Sequence, residues 1–107
     1  MEDSSSLKIL QDSLLGAPII WKGDYPYFIH PISDGIPRME AKVLRATRDL
    51  IVSIVDWDEI DLIVSVEAMG LPLLAAVGDA TGKPTVVIRK RSYGMEGEVS
   101  VNVSTGY

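Results

Sequence analysis

Two apolar runs, Leu62 to Val66 and Thr85 to Ile88, are separated by the short loop Glu67-Ala68-Met69-Gly70 and a helix-length segment from Pro72 to Thr81. This pattern constrains the chain more than any other. It predicts strand, tight loop, helix and strand, and hence one βαβ unit. Strands joined by such a crossover are parallel, the crossover is right-handed in nearly all known cases, and the carboxyl ends of both strands fall on one edge of the sheet. The Glu67 to Gly70 loop is thereby placed beside Arg89-Lys90-Arg91, which follows the second strand. Open α/β sheets bind ligands along that edge, where loop amides and a helix N-terminus favour anions. An anionic ligand is the first functional expectation.

The overall charge makes that basic cluster informative. The 107 residues are 47% hydrophobic and 23% charged with a net charge of −5, and the pI is near 4.7. Attraction of the whole chain to nucleic acid or anionic lipid is therefore not expected, and positive charge matters only where it clusters. The length and composition suit one small α/β domain with a single core. With no cysteine and one histidine, disulfides, thiolate metal sites and histidine-built metal centres drop out, and no metal ligand is predicted. The start, Met1 to Ser6, is acidic and polar, unlike a signal peptide, and no apolar run reaches the roughly 18 residues of a membrane span. The expectation is a soluble cytoplasmic protein without a membrane or nucleic-acid partner.

Apolar residues at Leu7, Ile9, Leu10, Leu14 and Leu15 predict a short amphipathic helix over 4–15, capped by Asp3 or Ser4, with Gly16 just past its end. Ile19 to Trp21 and Tyr25 to Ile29 read as two short strands around Lys22-Gly23-Asp24, a small cover with Pro26 at an edge. His30 to Pro37 is rich in Pro and Gly and is expected to be irregular. Helical spacing of Val43, Leu44, Leu50, Ile51, Ile54 and Val55 predicts a helix over 39–55 with Pro37 in its first turn, and Trp57 to Asp61 is a polar connection. The run from Leu62 to Val66 is apolar at nearly every position, as in a central strand covered on both faces. Gly82 closes the following helix, and Val99, Val101 and Val103 alternate with polar residues as in a half-exposed strand.

Each candidate site residue has a plain structural alternative. Glu67 ends a strand, where a costly carboxylate could simply cap the next helix. Arg89, Lys90 and Arg91 could form a solvated turn, yet three adjacent cations beside Gly94 and Gly97 suit a mobile lid over phosphate. His30 is more readily a structural hydrogen-bonding residue than a general base. Tyr25, Tyr27 and Phe28 read as core or as base-stacking residues.

Four segments in order, PYFIHPISDGIPR, LIVSVEAMGLPL, VVIRKRSYGMEGEV and the final STGY, together resemble the archaeal hypoxanthine/guanine phosphoribosyltransferases, relatives of adenine phosphoribosyltransferase in the type I fold. The resemblance covers residues 8–107. It implies a parallel sheet flanked by helices with a small N-terminal hood, in one domain divided into helix and hood over 1–37 and an α/β core over 38–107. It implies transfer of 5-phosphoribosyl from phosphoribosyl pyrophosphate (PRPP) to a purine base in purine salvage, with Mg²⁺ carried by PRPP and a homodimer as the assembly.

Residue by residue, the resemblance places Glu67, Ala68, Met69 and Gly70 in the pyrophosphate-binding loop, often built around a cis or strained peptide. Arg89, Lys90, Arg91 and Tyr93 fall in the flexible catalytic loop, with Arg89, Lys90 and Tyr107 in catalytic roles. Phe28, Ile29, His30 and Ile32 fall in the hood over the purine. Met69 stands where adenine-specific relatives commonly carry arginine, which implies hypoxanthine or guanine as the base, with adenine as the alternative. The family's PRPP signature, a strand ending in two acidic residues before a Thr-Gly loop, is absent before Tyr107. The resemblance thus implies an N-terminal portion of an incomplete domain, and a non-catalytic purine- or phosphate-binding regulator is a second reading.

Overall fold

The structure, a computed structural model, describes residues 2–104. The order of elements is α1 (Glu2–Leu15), β1 (Ile19–Lys22), β2 (Tyr25–Phe28), α2 (Pro31–Asp34), α3 (Ala41–Ile54), β3 (Ile63–Val66), α4 (Leu71–Thr81) and β4 (Thr85–Ile88). Helix α1 starts at Glu2, ahead of the expected caps, and ends where predicted, with the Gly16 amide donating to the Asp12 carbonyl at 3.0 Å. A two-residue turn joins β1 to β2, with Lys22 opposite Tyr25 and Gly23 at a positive φ of 61°. The hairpin is a sheet of its own and is exposed along its whole length, so Tyr25, Tyr27 and Phe28 are not core residues.

The predicted βαβ unit is present. Strands β3 and β4 are parallel, with Ile63 opposite Thr85 and Val66 opposite Ile88. The ladder continues past each end through Ile63 N–H to the Pro84 carbonyl and Glu67 N–H to the Ile88 carbonyl. Gly82, at φ 72°, closes α4 by donating to Gly78 O. Helix α4 packs on both strands, and Gly78 permits the approach: a Cβ there would lie 2.5 Å from Thr85 Cγ2. Helix α3 bridges α1 and α4, so the three long helices form one layer.

Several expectations are corrected. The sheet has only two strands and is covered by α4 on one face; Val64, Val66, Val86 and Ile88 on the other face are about half exposed. Among the described residues β3 thus has one strand neighbour and a helix on one face, and the other apolar face is left uncovered. The segment His30 to Pro37 is not wholly irregular, because the His30 side chain caps the single-turn helix α2 and Gly35 ends it in the left-handed region. Pro37 lies outside α3: Glu40, still extended, is its N-cap residue, and Arg38 pairs with Glu40 at 2.7 Å. The connection after α3 contains a 3-10 turn at Trp57–Glu59, where the Trp57 indole N–H donates to the Val52 carbonyl. Val99, Val101 and Val103 form no strand, since alternation cannot replace a hydrogen-bonding neighbour, and all three are about four-fifths exposed.

The core is thin. Among the described residues the buried apolar ones are Ile32, Ala46, Leu74 and Val77. The radius of gyration is 16.2 Å, against about 13 Å for a fully compact domain of this length. The molecule is a slab of 45 × 44 × 22 Å. No described helix is long and apolar enough to cross a membrane.

Candidate functional site

Parallel pairing puts the ends of β3 and β4 side by side, and the side chains found there follow from it. Glu67 does not cap α4. It reaches across the sheet edge, accepting the Lys90 backbone N–H at 2.6 Å and approaching the Arg89 guanidinium at 3.4 Å. The Lys90 amide chiefly holds the Glu67 carboxyl below its ordinary range against the opposing effect of burial, with Arg89 adding a lesser contribution. Arg89 also lies 5.6 Å from the centre of the Tyr93 ring. Glu67 therefore anchors the base of the basic loop.

The loop between β3 and α4 spans residues 67–70. Leu71 N–H bonds the Ala68 carbonyl, while none of the backbone hydrogen bonds here uses the Ala68, Met69 or Gly70 amide as donor. The peptide between Glu67 and Ala68 is cis. Gly70 lies so close to β3 that a Cβ would fall on the Ser65 hydroxyl. The edge thus joins a helix N-terminal loop, whose Ala68, Met69 and Gly70 amides donate to no backbone group among the described residues, to the cations Arg89, Lys90 and Arg91, a combination suited to a multiply charged anion.

Beyond Arg91 the loop folds on a residue that sequence reasoning missed. Glu98 accepts from the Ser92 hydroxyl, from Tyr93 N–H at 3.0 Å and from Met95 N–H at 3.4 Å. The Ser92 hydroxyl first, then these amides, lower its carboxyl pKa. Gly94 and Gly97 at positive φ let the chain turn around it. The available signal was an acidic residue just beyond two glycines in a basic segment.

A second feature gathers the predicted base-covering residues. A cavity of about 250 Å³ is lined by Leu10 and Leu14 of α1, Phe28, His30, Ile32 and Met69, with Thr47 and Leu73 from the helix layer. It runs from the hairpin to the loop after β3 and joins Phe28, His30 and Ile32 with Met69. Ile29 is not with them; it lines a separate apolar cavity of about 310 Å³. The Phe28 and His30 rings are near-parallel with centres 5.8 Å apart. His30 is buried, its Nε2 is 2.9 Å from Ser13 Oγ, and its Nδ1 accepts Ile32 N–H at 3.2 Å, so both ring nitrogens serve structure. Ser13 carried no local signal of this contact, being one polar residue on an amphipathic helix. Among the described residues no cluster of three or more His, Asp or Glu could hold a metal ion. Tyr107 lies outside the described residues.

No protein-family model matches the chain, and no solved structure matches it. Known proteins do. A hypoxanthine/guanine phosphoribosyltransferase of Aciduliprofundum boonei is 52% identical over 101 residues, which is 94% of this chain and 55% of the relative. Proteins of the same name from Methanohalophilus mahii, 48% identical over 101 residues, and Methanocaldococcus infernus, 50% over 98, cover 94% and 92% of the chain and 53% and 54% of their own lengths. The chain is a homologue of these archaeal phosphoribosyltransferases. It spans about half the length of the curated relatives it matches. The matched stretch of at least 98 residues is long enough to include most of the α4 crossover, the strand-edge loop and the cavity walls.

Proposed function

We propose that this phosphoribosyltransferase homologue acts in purine salvage, transferring the 5-phosphoribosyl group of PRPP to N9 of hypoxanthine or guanine to give IMP or GMP and pyrophosphate. The observation that carries the reading is the strand edge, where the Ala68 to Gly70 amides adjoin the Arg89, Lys90 and Arg91 cations. In the transfer, the bond from C1′ to the pyrophosphate oxygen breaks with its electron pair leaving on pyrophosphate, N9 bonds to C1′, and the N9 proton is released. Charge therefore grows on the leaving group as the ribose becomes cationic, and fixed amides and cations around pyrophosphate lower that barrier. Arg89 and Lys90 take this role, with Arg91 and Tyr93 as further contacts of the closing loop. Magnesium enters as the counter-ion of PRPP, held by the substrate's own phosphates.

The cavity walled by Phe28, His30, Ile32 and Met69 takes the base, with the Phe28 ring against its face. In this reading β3 and β4 are neighbouring strands of a larger parallel sheet of the type I fold, the hairpin is the hood, and the working protein is a cytoplasmic homodimer. The relatives' names support a 6-oxo purine, and Met69 in place of a cation beside the cavity agrees with it. Oxo and amino purines present opposite hydrogen-bonding edges, so a site matched to one leaves buried groups unpaired with the other. Steady-state assay of the protein with PRPP and magnesium is expected to give a kcat/KM for hypoxanthine at least about a hundredfold above that for adenine. A ratio below one would assign adenine instead.

A further inference from the structure

The one histidine is built into a directed hydrogen-bond chain that ties the hairpin end to α1. His30 Nδ1 accepts the Ile32 N–H at 3.2 Å and so carries no proton. The single proton of the neutral ring is then on Nε2, 2.9 Å from Ser13 Oγ, and the Ser13 hydroxyl passes its own hydrogen to the Leu10 carbonyl at 2.6 Å. Each donor has an acceptor and the chain runs one way. Phe28 precedes His30 and Ile32 follows it, and all three wall the cavity assigned above to the base. Ser13 does not; it lines the separate cavity with Ile29.

We infer that Ser13 and His30 form a positioning lock that sets the affinity for the purine base by holding the Phe28 and Ile32 walls in register with α1, and that protonation of His30 opens it. A second proton would have to go on Nδ1, where it would meet the Ile32 N–H donor against donor, so the ring cannot become cationic and still cap α2. Burial lowers the His30 pKa below 6.5, and the Asp34 carboxylate, which accepts the His30 backbone N–H at 2.9 Å, partly restores it. Among the described residues Asp34 is the charge that acts on the ring: Lys8 and Asp12 of α1 pair with each other at the surface, Arg48 pairs with Asp49 on α3, and α3 brings the uncharged Thr47 to the cavity. Because the folded pKa is depressed, the lock is complete above 6.5 and is lost as pH falls below it through the folded value.

The inference rests on the base-binding reading, and its test separates the two. Hypoxanthine is titrated calorimetrically into the protein with magnesium pyrophosphate present, and the His30 ring is followed by nitrogen NMR. The ring is expected as the Nε2-protonated tautomer, and hypoxanthine affinity is expected to fall between about pH 8 and pH 5.5, by less than the roughly tenfold that an unshifted histidine would give. Ser13→Ala, at a residue outside the base cavity, should weaken binding roughly three- to tenfold at the higher pH, with Ser13→Thr restoring it. His30→Asn, which keeps an acceptor for Ile32 N–H but does not titrate, should abolish the pH dependence and decides the matter if Ser13→Ala folds poorly. Wild-type binding with Ser13→Ala unaffected, a pH slope surviving in His30→Asn, or a proton on Nδ1 would overturn the lock alone. Absence of hypoxanthine binding at both pH values, with the tautomer as expected, would overturn the base-binding reading and this inference with it.

Discussion

Glu67 shows how one side chain can be legible in kind and illegible in partner. Its position at the end of an apolar strand marked it as an expensive carboxylate in need of a partner, but the sequence offered the adjacent helix, whereas the structure gives it the Lys90 amide and Arg89 across the sheet edge. A partner 23 residues away becomes a neighbour only through strand pairing, which local sequence does not encode. The Lys90 amide and Arg89 depress the Glu67 pKa below the ordinary 4.5. The anchor is therefore complete above the unfolded carboxylate value and is lost only as pH falls through the lower folded one. In an acid titration followed by NMR, the Lys90 amide resonance should move with a midpoint below 4.5, and the movement should vanish in Glu67→Gln. A midpoint at or above 4.5 would mean that the contact does not hold in solution. The His30 ring nitrogens both have hydrogen-bond partners, and the Ser13 partner on α1 could be found only from coordinates.

At the scale of elements, the βαβ unit was readable because each part obeys a local rule: β4 coincides with the predicted run, α4 has proline in its first turn, and glycine ends it. What failed were inferences that need a neighbour. Alternating valines after residue 98 have no strand to pair with, and a continuous apolar strand was read as doubly covered when α4 covers only one face. The small helix α2 was hidden by its Pro and Gly content, although proline at its start and glycine at its end are the ordinary boundaries of a helix. The contact of α4 with β4 depends on Gly78. A valine there would drive its branched side chain into Thr85, and Gly78→Val is expected to destabilise the fold by about 1–3 kcal/mol, as overpacked sites do. Urea unfolding should show a lower midpoint, with a substantial part of the loss recovered when Thr85→Ala is added. An unchanged midpoint would contradict the close approach of Gly78 and Thr85.

At the scale of the molecule, four buried apolar residues among those described and a slab-like outline mean that little of the stability resides in a central core. Position is what the fold supplies: one sheet edge where a strand-end loop meets a basic loop, and one cavity where the hairpin, α1 and the same strand-end loop converge through Met69. The edge was legible from the crossover alone, while the cavity was not, since its walls come from four separate stretches of chain. The relatives named for hypoxanthine and guanine match this sequence at about half identity over nearly the whole chain. The central claim is that the edge holds the pyrophosphate group, and titration calorimetry of magnesium pyrophosphate into the wild-type protein and the Arg89→Ala, Lys90→Ala double variant tests it most directly. Each lost charge-assisted contact costs about 1.5–3 kcal/mol, so the double variant is expected to bind at least about tenfold more weakly. Equal affinity in the two proteins would contradict the account.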